Sequence, residues 1–400
     1  MRFQFSELKV MDLSNVRIRE HFGMITNDTS TAQINFLISP PKSRESIEKQ
    51  DIICFDHPIY GDVCQIIAEV KEVTSYEEVA GSTTGNRVGK MLGIAQILGY
   101  VDLRNKERPL KKLLLPPNPA SRIYMTYTLF LEDMFKRGKD GKSFTSPLYL
   151  GKTEIRAVSQ EETDEQINFY FDADDLTSKN MLISGITGSG KTHTAMTIVE
   201  ELAYKKGYPI VILDPNNEYA TIGATNHDKN SDQQTDIIQI SAAKNNPEEI
   251  TRKIRQNQVI SLTGNNLTLS EKSACYVNIL SSFVKAAREK TLQPFLLVIE
   301  DAERLPTQVI QEILSTRKDI ATILITSHPT ILGGKVLSEI QNYIVGKTND
   351  PADLTYLKNI TNGPDDQLTS FGVGDWVVNG LNIIRPTKIH VEECSPKSGK

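Results

Sequence analysis

Four hundred residues with a net charge of −5, 39% hydrophobic and 24% charged side chains describe a soluble globular chain with room for two or three domains. No apolar run approaches the ~18 residues that a membrane helix needs, and the opening MRFQFSELKVMDLSNVRIRE lacks the apolar core of a secretion signal, so the expected location is cytoplasmic. The acidic balance excludes a surface coated with positive charge for nucleic acid and leaves a local basic track as the only option, while Cys54, Cys64, Cys275 and Cys394 show no C-x-x-C pairing and read as free thiols.

In chain order, residues 21–75 break into short apolar runs (FGMI, AQINFLIS, DIICFD, CQIIAEVKEV) separated by turn residues, the spacing of a small antiparallel barrel. After a Gly- and Thr-rich interruption, MLGIAQILGYVDL supplies further strand, giving an expected all-β domain over 1–115. Residues 116–150, rich in proline and then in charge, read as a connector with one short helix. From 151 to 392 strands and helices alternate: Met181–Ser184, Pro209–Leu213, Gln258–Leu262, Phe295–Ile299 and Thr322–Thr326 are apolar strands, the pattern of a parallel α/β sheet. Between them, Ser270–Lys290 carries Ala274, Val277, Leu280, Val284 and Ala287 at helical spacing, a stripe that belongs in a core. The segment 393–400 reads as a frayed tail.

The stretch MLISGITGSGKTHT joins a strand to a helix through G-x-x-x-x-G-K-T, the signature of a P-loop NTPase. Gly185, Gly188 and Gly190 free the backbone to turn its N–H groups toward phosphate oxygens, with Thr187, Ser189 and His193 in the same loop and first helical turn. Lys191 would reach the β and γ phosphates of ATP, and the Thr192 hydroxyl would ligate Mg2+. Downstream, FLLVIED is a buried strand ending in two acids expected beside the P-loop strand: Glu300 for the magnesium, through water, and Asp301 to polarise the attacking water. At the next strand end, in TILITSHP, Thr326 and Ser327 are hydroxyls suited to sensing the γ-phosphate, whereas His328 lacks the visible neighbour a base requires. Arg317 ends a helix; it is either a solvated helix terminus or a cation inserted into a neighbouring subunit's site. Lys229 and Lys244 are candidate DNA contacts only because they lie in polar loops.

Together these segments resemble the HerA branch of the HerA/FtsK hexameric DNA-pumping ATPases, almost end to end: a barrel, then GITGSGKT, then Asp214-Pro215-Asn216-Asn217-Glu218-Tyr219, similar to that family's D-P-H-G-E-Y. Ile299-Glu300-Asp301-Ala302-Glu303, Arg317 followed by Thr326-Ser327-His328-Pro329, Lys347-Thr348-Asn349-Asp350 and the closing Phe371-Gly372-Val373-Gly374-Asp375-Trp376 continue the likeness. Ser327 stands where the family usually has Gln, Glu303 where it often has His, and Lys347 where it often has Arg. The resemblance implies a RecA-like ATPase core behind a β-barrel, assembled as a homohexamer with ATP and Mg2+ at the interfaces and double-stranded DNA through the centre. It also implies a NurA-like nuclease partner in DNA end processing, with Asp214, Glu218 and Lys347 as further site residues and Arg317 and Lys347 acting across the interface. DNA transport or packaging, and an ATP-regulated scaffold for a nuclease or defence effector, are the other activities the same motifs allow.

Overall fold

The computed structural model describes residues 21–38, 47–77, 89–105, 109–153, 155, 166–221, 236–242, 246–254, 258–264, 267–361 and 365–392. The chain divides into two compact units, one drawn from Met1–Leu131 and Ile155–Glu165, the other from Glu132–Glu154 and Gln166–Lys400.

The first unit is a closed barrel of β1 (Gly23–Thr29), β2 (Gln33–Ile38), β3 (Ile52–His57), β4 (Gly61–Glu77), β5 (Gly89–Asp102) and β6 (Arg122–Met125), in the order β1-β2-β5-β4-β3-β6. Alternation decides which face turns inward: along β2, Ile34, Phe36 and Ile38 are buried while Gln33 is exposed. The expected strands are all present. The stretch read as a connector contributes more than a link, because β6 lies within it and closes the barrel by pairing with both β1 and β3. A closed barrel leaves no unpaired edge.

After the short helix α1 (Thr128–Phe135), the second unit is built on an eleven-stranded sheet. Its elements are β7 (Pro147–Thr153), β8 (Ile167–Asp172), α2 (Ala173–Leu176), β9 (Met181–Ser184), α3 (Lys191–Lys206), β10 (Ile210–Asp214), β11 (Asp236–Ser241) and α4 (Pro247–Lys253). They continue through β12 (Gln258–Thr263), α5 (Leu269–Arg288), β13 (Phe295–Ile299), α6 (Thr307–Leu314), β14 (Ile320–Thr326), α7 (Gly334–Leu337) and β15 (Asn342–Val345). Last come α8 (Pro351–Thr361), α9 (Asp365–Ser370), β16 (Asp375–Asn379) and β17 (Thr387–His390). The order is β11-β12-β10-β13-β14-β9-β15-β16-β17-β7-β8, parallel from β11 to β15 and antiparallel beyond.

Every residue of β9, β10, β13 and β14 is buried, as expected for strands covered on both faces by crossover helices. Helix α5 begins where Thr268 and Glu271 form a reciprocal capping box. Its buried face is Tyr276, Ile279, Leu280, Phe283, Val284 and Ala287. The stripe expected through Ala274 and Val277 is thus rotated, leaving Ala274 exposed. Tyr276, Ile279 and Phe283 have more apolar surface to remove from water than Ala274, and they set the helix's rotation.

Candidate nucleotide site

The loop from Gly185 to Gly190 leaves the C-terminal end of β9 and opens α3, with Gly188 at φ 80° and Gly190 at φ 97°, where a side chain is strained. Neighbouring strands hold the loop in place. Gly346 N–H donates to Ser184 O at 2.7 Å, Ile186 N–H to Lys347 O at 2.8 Å, and Gly374 N–H, from the turn before β16, to Ser189 O at 3.1 Å. Trp376 lies fully buried beneath them. A Cβ added to Gly346 would stand 2.5 Å from its ring and one on Gly190 3.8 Å away, so glycine at 346 is a matter of space. Of the loop residues, Thr187 and Gly188 are exposed, and Ser189 is buried with a hydroxyl that has no hydrogen-bond partner. His193, on the first turn of α3, is half-buried.

The Lys191 ammonium donates to Gly185 O at 2.9 Å, Ile186 O at 3.1 Å and the Ser327 hydroxyl at 3.1 Å. Burial lowers its pKa, opposed by the charges of Glu300, Glu303, Asp301 and Glu218, in that order. The contact with Ser327 follows from topology. Strand β14 sits between β9 and β13, so its C-terminal end falls between the P-loop and the acids. The acids therefore emerge one strand further from the P-loop than expected. Thr326 is buried, and its hydroxyl accepts the His328 N–H at 3.0 Å, leaving Ser327 as the hydroxyl that meets Lys191.

Glu300 is buried, and its Oε1 accepts the Tyr219 hydroxyl at 2.5 Å. Burial pushes its carboxyl up to about 7; the Tyr219 hydrogen bond opposes this, Glu218 adds to it, the Thr192 hydroxyl bond opposes it and Asp301 adds to it. Thr192 and Glu300 thus touch directly. A hydroxyl and a carboxylate make a hard-oxygen pair suited to magnesium, which usually takes one or two carboxylates and fills its remaining positions with water and phosphate. Among the described residues, no group of three or more His, Cys, Asp or Glu side chains is placed to hold a metal.

Asp301, read from sequence as the water-polarising group, has left-handed backbone at φ 50°. Its Oδ2 lies 3.2 Å from a terminal nitrogen of Arg304, an ion pair without hydrogen-bond geometry. Glu303, two residues on, reaches Ser327, whose N–H donates to its Oε1 at 3.4 Å.

Asp214 is enclosed. Its carboxylate accepts Glu218 N–H at 2.9 Å, Tyr219 N–H at 3.1 Å and the Ser261 hydroxyl at 3.1 Å, so it closes the DPNNEY turn that delivers Tyr219 to Glu300. Glu218 itself is exposed. Arg317 is exposed in the turn before β14, at the opposite end of the parallel strands from the P-loop. Seven strand residues separate it from Ser327, about 23 Å at roughly 3.3 Å each. Lys347 follows β15 at the P-loop end of the strands and holds the loop through its carbonyl. His328 is 52% exposed at its side chain, with Nδ1 3.2 Å from Asp353 Oδ2. Lys229 and Lys244 lie outside the described residues, as do Cys394 and the rest of 393–400. Among the described residues, Cys54, Cys64 and Cys275 are not joined in disulfides.

Sequence reasoning missed Tyr219 as the partner of Glu300 and Trp376 as the floor of the P-loop. Each stands in a motif that the sequence displays: Tyr219 closes DPNNEY, and Trp376 lies within FGVGDWVV. The signal for Trp376 was the pairing of the chain's single tryptophan with two glycine-rich segments.

A P-loop at the end of a parallel strand, with an acidic strand end one strand beyond its neighbour, defines a RecA-like P-loop fold. Within that class, residues 157–334 match the family model described as "Helicase HerA, central domain". A probable helicase of Methanocaldococcus jannaschii is 28% identical over 161 residues, 40% of this chain and 26% of that one. A probable DNA double-strand break repair helicase HerA of the same organism is 37% identical over 60 residues, 15% of this chain and 12% of its own length. The chain thus spans about a quarter or less of these two relatives. Among solved structures, VirB4 of Thermoanaerobacter pseudethanolicus aligns with TM-score 0.44 and 13% identity over 62% of this chain and 97% of that one. The genome packaging NTPase B204 of Sulfolobus turreted icosahedral virus 2, in complex with ATP-gammaS, aligns with TM-score 0.39 and 14% identity over 54% and 98%.

Proposed function

We propose that the chain is an ATP-driven translocase of double-stranded DNA, working as a homohexamer with a NurA-like nuclease in end processing for recombination or repair. The observation that carries the reading is the meeting of Lys191, Thr192, Glu300 and Ser327 at the C-terminal ends of β9, β13 and β14, within the segment that matches the HerA central-domain model. The P-loop amides and Lys191 bind the phosphates, while Thr192 and Glu300 would hold Mg2+, which would supply positive charge to the phosphate oxygens. Ser327, already bonded to Lys191, senses the γ-phosphate. Tyr219 orients Glu300 and transmits the state of the site to the DPNNEY turn.

Arg317 lies too far along the sheet to serve its own site, which supports its acting on a neighbouring subunit in the ring. Lys347, at the P-loop end of the strands, has the weaker claim to that role. Contacts with DNA in the ring are with phosphates, hence sequence-independent and salt-sensitive. ATP turnover with and without linear duplex DNA tests the reading: stimulation that falls as salt rises is expected. An assembled particle that hydrolyses ATP identically with and without DNA would instead favour the scaffold for a nuclease or effector.

A further inference from the structure

Two carboxylates follow Glu300 within three residues, and their surroundings differ. Asp301 lies on left-handed backbone at φ 50°, and its Oδ2, also buried without a hydrogen-bond donor, has the Arg304 guanidinium 3.2 Å away. Glu303 sits in the single helical turn Ala302–Arg304 after β13 and faces the end of β14. One of its oxygens accepts the Ser327 N–H at 3.4 Å; the other, Oε2, is buried with no hydrogen-bond partner. The Ser327 hydroxyl in turn accepts from Lys191 at 3.1 Å, so Glu303 is linked through one residue to the ammonium that marks the terminal phosphates. Its charge also acts on Lys191 more strongly than that of Asp301. A buried carboxylate oxygen without a donor is rare in folded proteins and calls for a water or ligand hydrogen.

We propose that Glu303, rather than Asp301, is the carboxylate that accepts the proton of the attacking water. The inference rests on the reading of the site as an ATPase. The water oxygen bonds to the γ-phosphorus as the bond from that phosphorus to the β,γ-bridging oxygen breaks. The bridging oxygen leaves on ADP with the electron pair, and the water's proton passes to Glu303 Oε2 and then to the phosphate product. Ser327 holds the other oxygen of the carboxylate through its N–H and Lys191 through its hydroxyl, fixing the base relative to the phosphate. Asp301 acts separately, stabilising with Arg304 the tight turn on which Glu303 is presented.

Isosteric substitutions in the full chain separate the two acids. Glu303→Gln keeps an oxygen to accept the Ser327 N–H but cannot take a proton. Its ATP turnover should fall by about 100-fold or more, the usual scale of a lost general base, while binding of a fluorescent non-hydrolysable ATP analogue stays within about threefold of the parent. Asp301→Asn should keep turnover within about fivefold, and Arg304→Ala should do likewise. Retained turnover in Glu303→Gln overturns the inference, as does an equal loss in Asp301→Asn. Analogue binding shows that each variant is folded. Should the parent chain bind the analogue but show no turnover above Lys191→Ala, the ATPase reading itself fails, an outcome distinct from an active Glu303→Gln.

Discussion

Glu300 is the residue whose environment constrains it most. Burial pushes its carboxyl up to about 7 from an ordinary 4.5, in a setting that includes Tyr219, Thr192, Glu218, Asp301 and the nearby Lys191. Between those values the folded chain holds a proton that the unfolded chain has released, so stability falls as pH rises through this window. The loss is complete above about 7 and is on the order of 3 kcal/mol. Thermal melts of the nucleotide-free protein should show Glu300→Gln losing less stability than the parent between about pH 5 and pH 8; equal losses would contradict this. Tyr219→Phe removes a donor to the charged form and should deepen the parent's loss. At the same scale, Lys191→Ala should abolish turnover, and Ser327→Ala should slow it by about tenfold or more, read as initial rates at saturating ATP.

At the scale of elements, the P-loop depends on β15 and on the turn before β16 as much as on its own glycines. Gly346→Ala would drive a methyl into the Trp376 ring at 2.5 Å, costing about 1–3 kcal/mol as overpacking. Measured by denaturant unfolding together with analogue affinity, both stability and nucleotide binding should drop. Because Trp376 is the single tryptophan and lies under Gly190, intrinsic fluorescence should change when ATP analogue and Mg2+ are added. Lys191→Ala should remove that change, and an unaltered spectrum in the parent would mean that the loop and its floor are uncoupled.

The core strands were legible in the sequence because each is a continuous apolar run between turn residues: Met181–Ser184 and Phe295–Ile299 match residue for residue. What was not legible depends on contacts distant in the chain. β6 is only four residues long and is recognisable as barrel only through its pairing with β1 and β3. The insertion of β14 between β9 and β13 is a matter of strand order, which no local pattern encodes. In the site, the spacing of GITGSGKT places Lys191 and Thr192 at the start of a helix, and both open α3. Which acid meets Arg304 and which meets Ser327 depends on side-chain direction, which no local pattern encodes.

For the whole molecule, the position of Arg317 at the far end of the strands makes its role a property of the assembly. Arg317→Ala should retain analogue binding and lose most ATP turnover. Mixed with Lys191→Ala chains it should regain part of that turnover, since some interfaces then combine an intact P-loop with an intact arginine. Normal turnover by Arg317→Ala alone would leave Arg317 as a solvated turn residue. If hydrolysis moves the protein along duplex DNA, the assembled protein should displace a third strand from a triplex with ATP and Mg2+, but not with a non-hydrolysable analogue and not as Lys191→Ala. Brisk ATP hydrolysis by an intact assembly that leaves the third strand in place would rule out translocation.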